Sequence, residues 1–179
     1  MKIGILQTGD APQGLDAYGT YPDMFEELLA GQGFSFARWR VNGMDFPASV
    51  TECDGWLITG SRHGVYEDHP FIAPLEQFIR DAIAQDIPVA GVCFGHQLIH
   101  QALGGEVAKS SKGWGLGLYD IDVKADYQHL SRGETLRLIA MHQDQVGTPA
   151  PGFTSIAGSD FCPHAITAKD SHVLTVQAH

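Results

Sequence analysis

Cys93 stands in the run Gly91-Val-Cys93-Phe-Gly95-His-Gln97. An apolar segment, Ile87 to Val92, precedes it, and Gln97 to Leu103 reads as a helix that Gly104-Gly105 stops. A nucleophile flanked by two small residues at a strand-to-helix junction is the pattern of the nucleophile elbow, where a tight turn lifts the reactive atom off a sheet. Such a turn crowds the backbone, and glycine is the residue without a Cβ to clash there. A helix N-terminus also carries partial positive charge, which favours thiolate over thiol. A cysteine taken singly reads as a buried structural residue, because free cysteine is among the most buried residue types. Both glycines and the following Gly-His-Gln turn the reading to nucleophile. Cys53 and Cys162 have neither an elbow nor a helix start and read as structural. An odd number of irregularly spaced cysteines, three in all, gives neither a disulfide framework nor a zinc site.

The elements that would position Cys93 follow from hydrophobic periodicity. Lys2 to Gln7 reads as a buried strand ended by Thr8-Gly9-Asp10, and Ala11 to Thr20 as a loop. A helix is expected from Pro22 to Ala30, with Met24, Phe25, Leu28 and Leu29 on one face and Gly31 closing it. Phe34 to Val41 alternates as a second strand, and Asp54 to Ile58 is a third that runs into Thr59-Gly60-Ser61. Phe71 to Gln85 is a helix with Phe71, Leu75, Phe78, Ile79, Ala82 and Ile83 on its inner stripe. Strands alternating with helices predict an α/β fold, a three-layer, mainly parallel doubly wound sheet. Ligands of such sheets lie beyond the carboxyl ends of the strands, where Thr59-Gly60-Ser61 would neighbour the elbow. Lys112 to Gly117 reads as a flexible glycine-rich stretch without the strand-before, helix-after placement of a dinucleotide loop. Tyr119 to Lys124 and Leu136 to Met141 alternate as strands. Phe153 to Ala157 and His164 to Ala168 read as a hairpin, and Val173 to His179 as a last strand.

Composition bounds the function classes. The 179 residues carry a net charge of −10, which argues against nucleic acid or anionic membrane as partners. The length is that of one domain with a single sizeable core. The apolar run at the N-terminus is too short for a signal peptide, and no stretch is long enough to span a bilayer. A cytoplasmic, reducing setting fits.

The core Gly-x-Cys93-x-Gly-x-Gln97 with its trailing Gly104-Gly105 resembles the nucleophile motif of the class I glutamine amidotransferases, the Cys-His-Glu triad group. Three further segments agree with that family. Gly64-Val-Tyr-Glu-Asp-His-Pro-Phe71 resembles the continuation seen in its stand-alone members. Met141-His142-Gln143-Asp144-Gln-Val146 resembles its Ser-His-x-Asp-x-Val turn, with Met141 in place of a small polar residue. Gln177-Ala-His179 resembles the start of its Gln-x-His-Pro-Glu motif. The resemblance implies Cys93 as nucleophile and His179 as base. The backbone of Gly60, Ser61 and Phe94 would hold the oxyanion, and Gln97 with the segment Met141, His142, Gln143 and Asp144 would hold the substrate. His142 itself, with no ligand-spaced Cys, His or carboxylate beside it, reads as a structural histidine rather than a metal ligand.

No cofactor or metal is needed for this chemistry. The expected domain is 1–179 with the family's C-terminal end, the Pro-Glu and a closing helix, missing. If the polypeptide ends at His179, turnover without the triad acid is expected to fall about 10⁴-fold. If it continues, Pro-Glu and a closing helix are expected next, with activity restored. Three functions stay open on this basis. The first is glutamine hydrolysis, with ammonia passed to a synthase partner or another acceptor. The second is hydrolysis of a γ-glutamyl peptide by the same nucleophile. The third is a non-catalytic binding or regulatory module on the same fold.

Overall fold

The computed structural model describes residues 1–11, 14 and 16–178. One nine-stranded sheet organises the chain. β1 (Lys2–Leu6), β2 (Ser35–Trp39), β3 (Gly55–Ile58), β4 (Val89–Val92) and β11 (Val173–Val176) form its parallel half, in the order β2-β1-β3-β4-β11. β10 (Ile166–Lys169), β9 (Thr154–Gly158), β6 (Gly115–Val123) and β7 (Thr135–His142) continue it in antiparallel pairing. The α/β class is as expected. The parallel pairing stops at β11, because the short connections β9–β10 and β10–β11 permit hairpins but no crossover.

Three α-helices occur among the described residues: α1 (Tyr21–Leu28), α2 (Ile72–Ala84) and α3 (Phe94–Ala102). α2 follows its predicted stripe, with Leu75 and Ile79 sealed in the core and Phe71 capping its start. α3 begins three residues earlier than its sequence periodicity indicates, directly after Cys93. It is buried on nearly every side, with Phe94, Leu98 and Ile99 at most 1% exposed. Burying each of those side chains contributes roughly 1.5–3 kcal/mol. α2 and α3 pack on one another and on Leu6, Trp56, Ile58 and Val89 of the parallel strands, which makes the main core. A second core, around Ile121, Ile156, Ala157 and Ile166, fills the antiparallel half.

Three expectations need correction. Leu28 of α1 is 74% exposed, and Pro22 is the helix's one buried residue. The amphipathic pattern expresses a preference for an apolar partner surface, and the described residues place none over Leu28. The helix is instead set by its N-terminus, where Thr20 and Asp23 form a reciprocal capping box. The glycine-rich stretch 112–117 is not a free loop throughout, since β6 starts at Gly115 and the Phe161 ring lies where a Cβ at Gly115 would go. Residues 141–146 are not a simple turn. β7 ends at His142 and β8 (Asp144–Thr148) starts two residues later, pairing with β5 (Glu106–Lys109) in a small second sheet.

β6 and β7 present their outer faces to solvent: Leu116 and Leu118 oppose Met141 and Ile139, and all four are more than half exposed. No described helix is long and apolar enough to cross a membrane.

Candidate active site

The carboxyl ends of β1, β3, β4 and β11 lie side by side, and the segments leaving them meet at Cys93. Cys93 has φ 55° and ψ −103°, a left-handed, strained backbone for a non-glycine residue. Its flanking glycines are required by contact. A Cβ at Gly91 would stand 2.5 Å from the Gly95 backbone, and one at Gly95 would stand 2.5 Å from the Ile58 carbonyl oxygen. The elbow thus presses β4 and the first turn of α3 against the end of β3. On its other side the Cys93 N–H donates to the Val176 carbonyl at 2.8 Å, so the end of β11 is tied to the elbow.

Two backbone amides, those of Phe94 and Ser61, donate toward the Cys93 thiol. The Phe94 N–H is free for this because the first turn of a helix has no internal acceptors for its amides. The Ser61 N–H is held by a buried tie between the ends of β1 and β3. Thr8 Oγ1 donates to the carbonyls of Thr59 and Gly60, both at 3.0 Å, and the Thr8 N–H donates to Thr59 Oγ1 at 3.1 Å. Burial pushes the Cys93 thiol up to about 12 despite these two donors, with Asp144 adding to the rise. Desolvation outweighs the helix N-terminus, so this geometry holds a thiol rather than the thiolate the sequence suggested. Cys162 is pushed up to about 12 by burial, and Cys53 is also raised by burial.

Gln97 is buried one turn into α3. Its Nε2 donates to the Asp144 carbonyl at 2.9 Å and to Gln177 Oε1 at 3.0 Å, joining the 141–146 segment to the terminal strand. His142 is buried, with Nδ1 donating to the same Asp144 carbonyl at 3.2 Å. The Asp144 carboxylate accepts from the Tyr66 hydroxyl at 3.0 Å. The Gln143 carbonyl accepts from the Ser110 N–H, and the Met141 side chain faces solvent. His179 lies outside the described residues; β11 delivers the chain through Gln177 and Ala178 toward it. Cys93, Ser61, Phe94, Gln97 and Asp144 therefore converge, while Met141 projects away.

Comparison with known proteins places the chain in one family. The model of the family "Glutamine amidotransferase class-I" matches residues 15–179. The chain belongs to the class I glutamine amidotransferase family. Gamma-glutamyl peptidase 4 of Arabidopsis thaliana is 35% identical over 182 residues, spanning 97% of this chain and 72% of the relative. The GMP synthase [glutamine-hydrolyzing] of Dehalococcoides mccartyi is 30% identical over 126 residues, 70% of this chain and 23% of that protein. The crystal structure of a glutamine amido transferase from Methylobacillus flagellatus superposes with a TM-score of 0.82 at 28% identity. It covers 99% of this chain and 69% of that one.

For this amidotransferase site, the sequence does not single out Tyr21, and it gives Gln177 only as part of the terminal motif. Tyr21, the first residue of α1, has its phenol pushed up by burial and by the nearby Cys93. Nothing in the loop before it signals that approach. Gln177 pairs with Gln97 from 80 residues away, a contact that only strand order creates.

Proposed function

We propose that this chain cleaves the γ-amide bond of a glutamine-type substrate through a Cys93 thioester. The observation that carries the reading is the convergence of the Ser61 and Phe94 amides on the thiol at a strained elbow. Sγ attacks the γ-carbonyl carbon as its proton passes to a base, and the carbonyl oxygen takes the negative charge. The two amides then hold that oxyanion, each contributing roughly 3–4 kcal/mol in comparable sites. The base returns the proton to the leaving nitrogen, the C–N bond breaks, and water hydrolyses the thioester to a γ-carboxylate. Because the thiol is held protonated, proton removal has to accompany attack. His179 is our assignment for the base, supported by the hydrogen bond that ties β11 to Cys93. Gly60 shapes the Ser61 turn. Gln97 with the His142, Gln143 and Asp144 backbone forms the wall against which the amino-acid end of the substrate would lie.

Glutamine is the first substrate in this reading, its ammonia passing to a synthase partner or another acceptor, as in a GMP synthase. The second reading is a γ-glutamyl peptide, whose bond presents the same carbonyl, and the 35% identity to gamma-glutamyl peptidase 4 favours it. Three unpaired, buried cysteines support a reducing, cytoplasmic setting. Incubation with glutamine and with γ-glutamyl dipeptides, measuring ammonia and glutamate, separates the two. Cys93→Ala is expected to lower turnover of the preferred substrate by about 10⁴-fold or more. Turnover unchanged in Cys93→Ala would remove the nucleophile assignment, and no turnover of either substrate by a C-terminally extended form carrying Pro-Glu after His179 would favour a binding module.

A further inference from the structure

Outside the Cys93 site, three metal-ligating side chains converge in the loop between β3 and α2: His63, Glu67 and His69. In sequence they are separated by three residues and by one, with no regular element to set them on one side. Consecutive tight turns do so instead. The Glu67 N–H donates to the Gly64 carbonyl at 3.1 Å, the His69 N–H to the Glu67 carbonyl at 3.0 Å, and the Ile72 N–H to the His69 carbonyl at 3.1 Å. The imidazoles of His63 and His69 come to lie with centroids 4.0 Å apart. Buried Phe71 backs both rings, at 6.4 and 5.9 Å. Glu67 Oε2 stands 2.7 Å from His69 Nε2 and 3.6 Å from His63 Nδ1. All three ligand atoms lie within 4.8 Å of one another.

We propose that His63, Glu67 and His69 bind a divalent transition-metal cation of the zinc class. Zn–N bonds of about 2.0–2.1 Å and Zn–O bonds of about 2.0–2.2 Å, in a tetrahedron, set ligand atoms about 3.3 Å apart. The observed 2.7 and 3.6 Å lie on either side of that spacing. Two imidazoles and one carboxylate suit Zn²⁺, Co²⁺ or Ni²⁺ far better than the oxygen-seeking Mg²⁺ or Ca²⁺, and a fourth position is left for water. A His69–Glu67 hydrogen bond accounts for one ring only. His63 Nδ1, at 3.6 Å, is beyond hydrogen-bonding distance of the same oxygen, and a shared cation gives both rings a reason to face it. All three side chains remain partly accessible, so a cation can enter from solvent. Occupancy would brace the loop that runs from the Ser61 amide to Tyr66, without contributing a group to the reaction at Cys93.

The test is titration of the metal-stripped protein with CoCl₂, read by visible d–d absorption, followed by displacement with ZnCl₂. One equivalent is expected to bind. His63→Ala and His69→Ala are expected to weaken binding at least about tenfold, and Glu67→Gln to weaken it as well. His129→Ala, which removes an exposed histidine elsewhere, and Cys93→Ser should bind like the unaltered protein. Circular dichroism establishes that each variant is folded, and ZnCl₂ should raise the melting temperature of the unaltered protein but not of His63→Ala. Lack of binding to the unaltered protein, equal binding by folded His63→Ala and His69→Ala, or loss of binding in Cys93→Ser would each overturn the proposal.

Discussion

At the scale of single residues, the site depends on atoms that are absent as much as on those present. Gly95 has to lack a Cβ because the Ile58 carbonyl oxygen stands 2.5 Å from where that atom would be. Backbone cannot retreat from such a contact as a flexible side chain can. Gly95→Ala is therefore expected to destabilise the fold by roughly 1–3 kcal/mol through overpacking. It should also displace the Phe94 amide, lowering kcat more than it raises KM. Urea unfolding together with steady-state kinetics checks both effects, and a variant of unaltered stability and kcat would show that the elbow relaxes freely. The thiol illustrates a second point at this scale. A helix N-terminus and two amides all favour the anion, yet burial dominates and holds the proton on sulfur. The sequence shows the first influence and conceals the second.

At the scale of elements, α3 is fastened to the last strands by a buried polar chain. The Ala150 N–H donates to His100 Nδ1 at 3.0 Å, which places the His100 proton on Nε2, 2.8 Å from Thr167 Oγ1. Thr167 and Thr175 hydroxyls lie 2.6 Å apart, and Thr175 Oγ1 is 2.7 Å from His96 Nδ1. Following donors along the chain leaves the His96 proton on Nε2, which has no partner among the described residues. Both histidines are fully buried and neutral: burial drives His96 well below its ordinary value and His100 down to about 4.

The stability consequence has a definite sign. A histidine whose pKa is depressed in the folded state binds its proton more readily when unfolded. Stability is thus full above about pH 6.5 and falls as pH drops below it, by about 1.4 kcal/mol per unit for each histidine. Asp23, Glu67 and Asp120 are held below the usual carboxylate range, so their contribution fades only at more acid pH. Between pH 6.5 and 4.5, urea unfolding should show a loss of up to about 3 kcal/mol per unit from His96 and His100 together. The slope should be shallower in His100→Gln. A flat profile over that range would mean that the relay is not neutral and buried in solution.

At the scale of the whole molecule, the two halves of the sheet do different work. The parallel half, packed beneath α2 and α3, carries the elbow and the Ser61 turn. The antiparallel half closes the sheet and ends in the β6–β7 pair, whose outer apolar row stands in solvent. Ile99 and Leu118 are both aliphatic, and sequence alone ranks them alike. Ile99, fully buried, should cost roughly 2–5 kcal/mol on change to Ala. Leu118, 67% exposed, should cost no more than about 0.5 kcal/mol on change to Ser. Comparing the two denaturation midpoints tests the division, and a large loss in Leu118→Ser would show that this row is covered in solution.

The residues read correctly in advance are those where a local pattern states its own geometry. Glycines two residues on either side of Cys93 announce a crowded turn, strand–helix alternation announces the parallel half, and a 3.6-residue stripe announces α2. The family motifs carried the resemblance further, as far as the Ser61 turn and the segment after β7. Which distant residues share a surface depends on the fold as a whole. Gln97 meets Gln177, Thr8 holds Thr59, Tyr21 approaches Cys93, and His63 faces His69 across Glu67. It also decided that Leu28 and Leu118 stay wet and that the Cys93 thiol keeps its proton. The physical reason is common to these cases: burial and partnership are properties of the neighbours that strand order brings in, and a short window of sequence does not contain those neighbours.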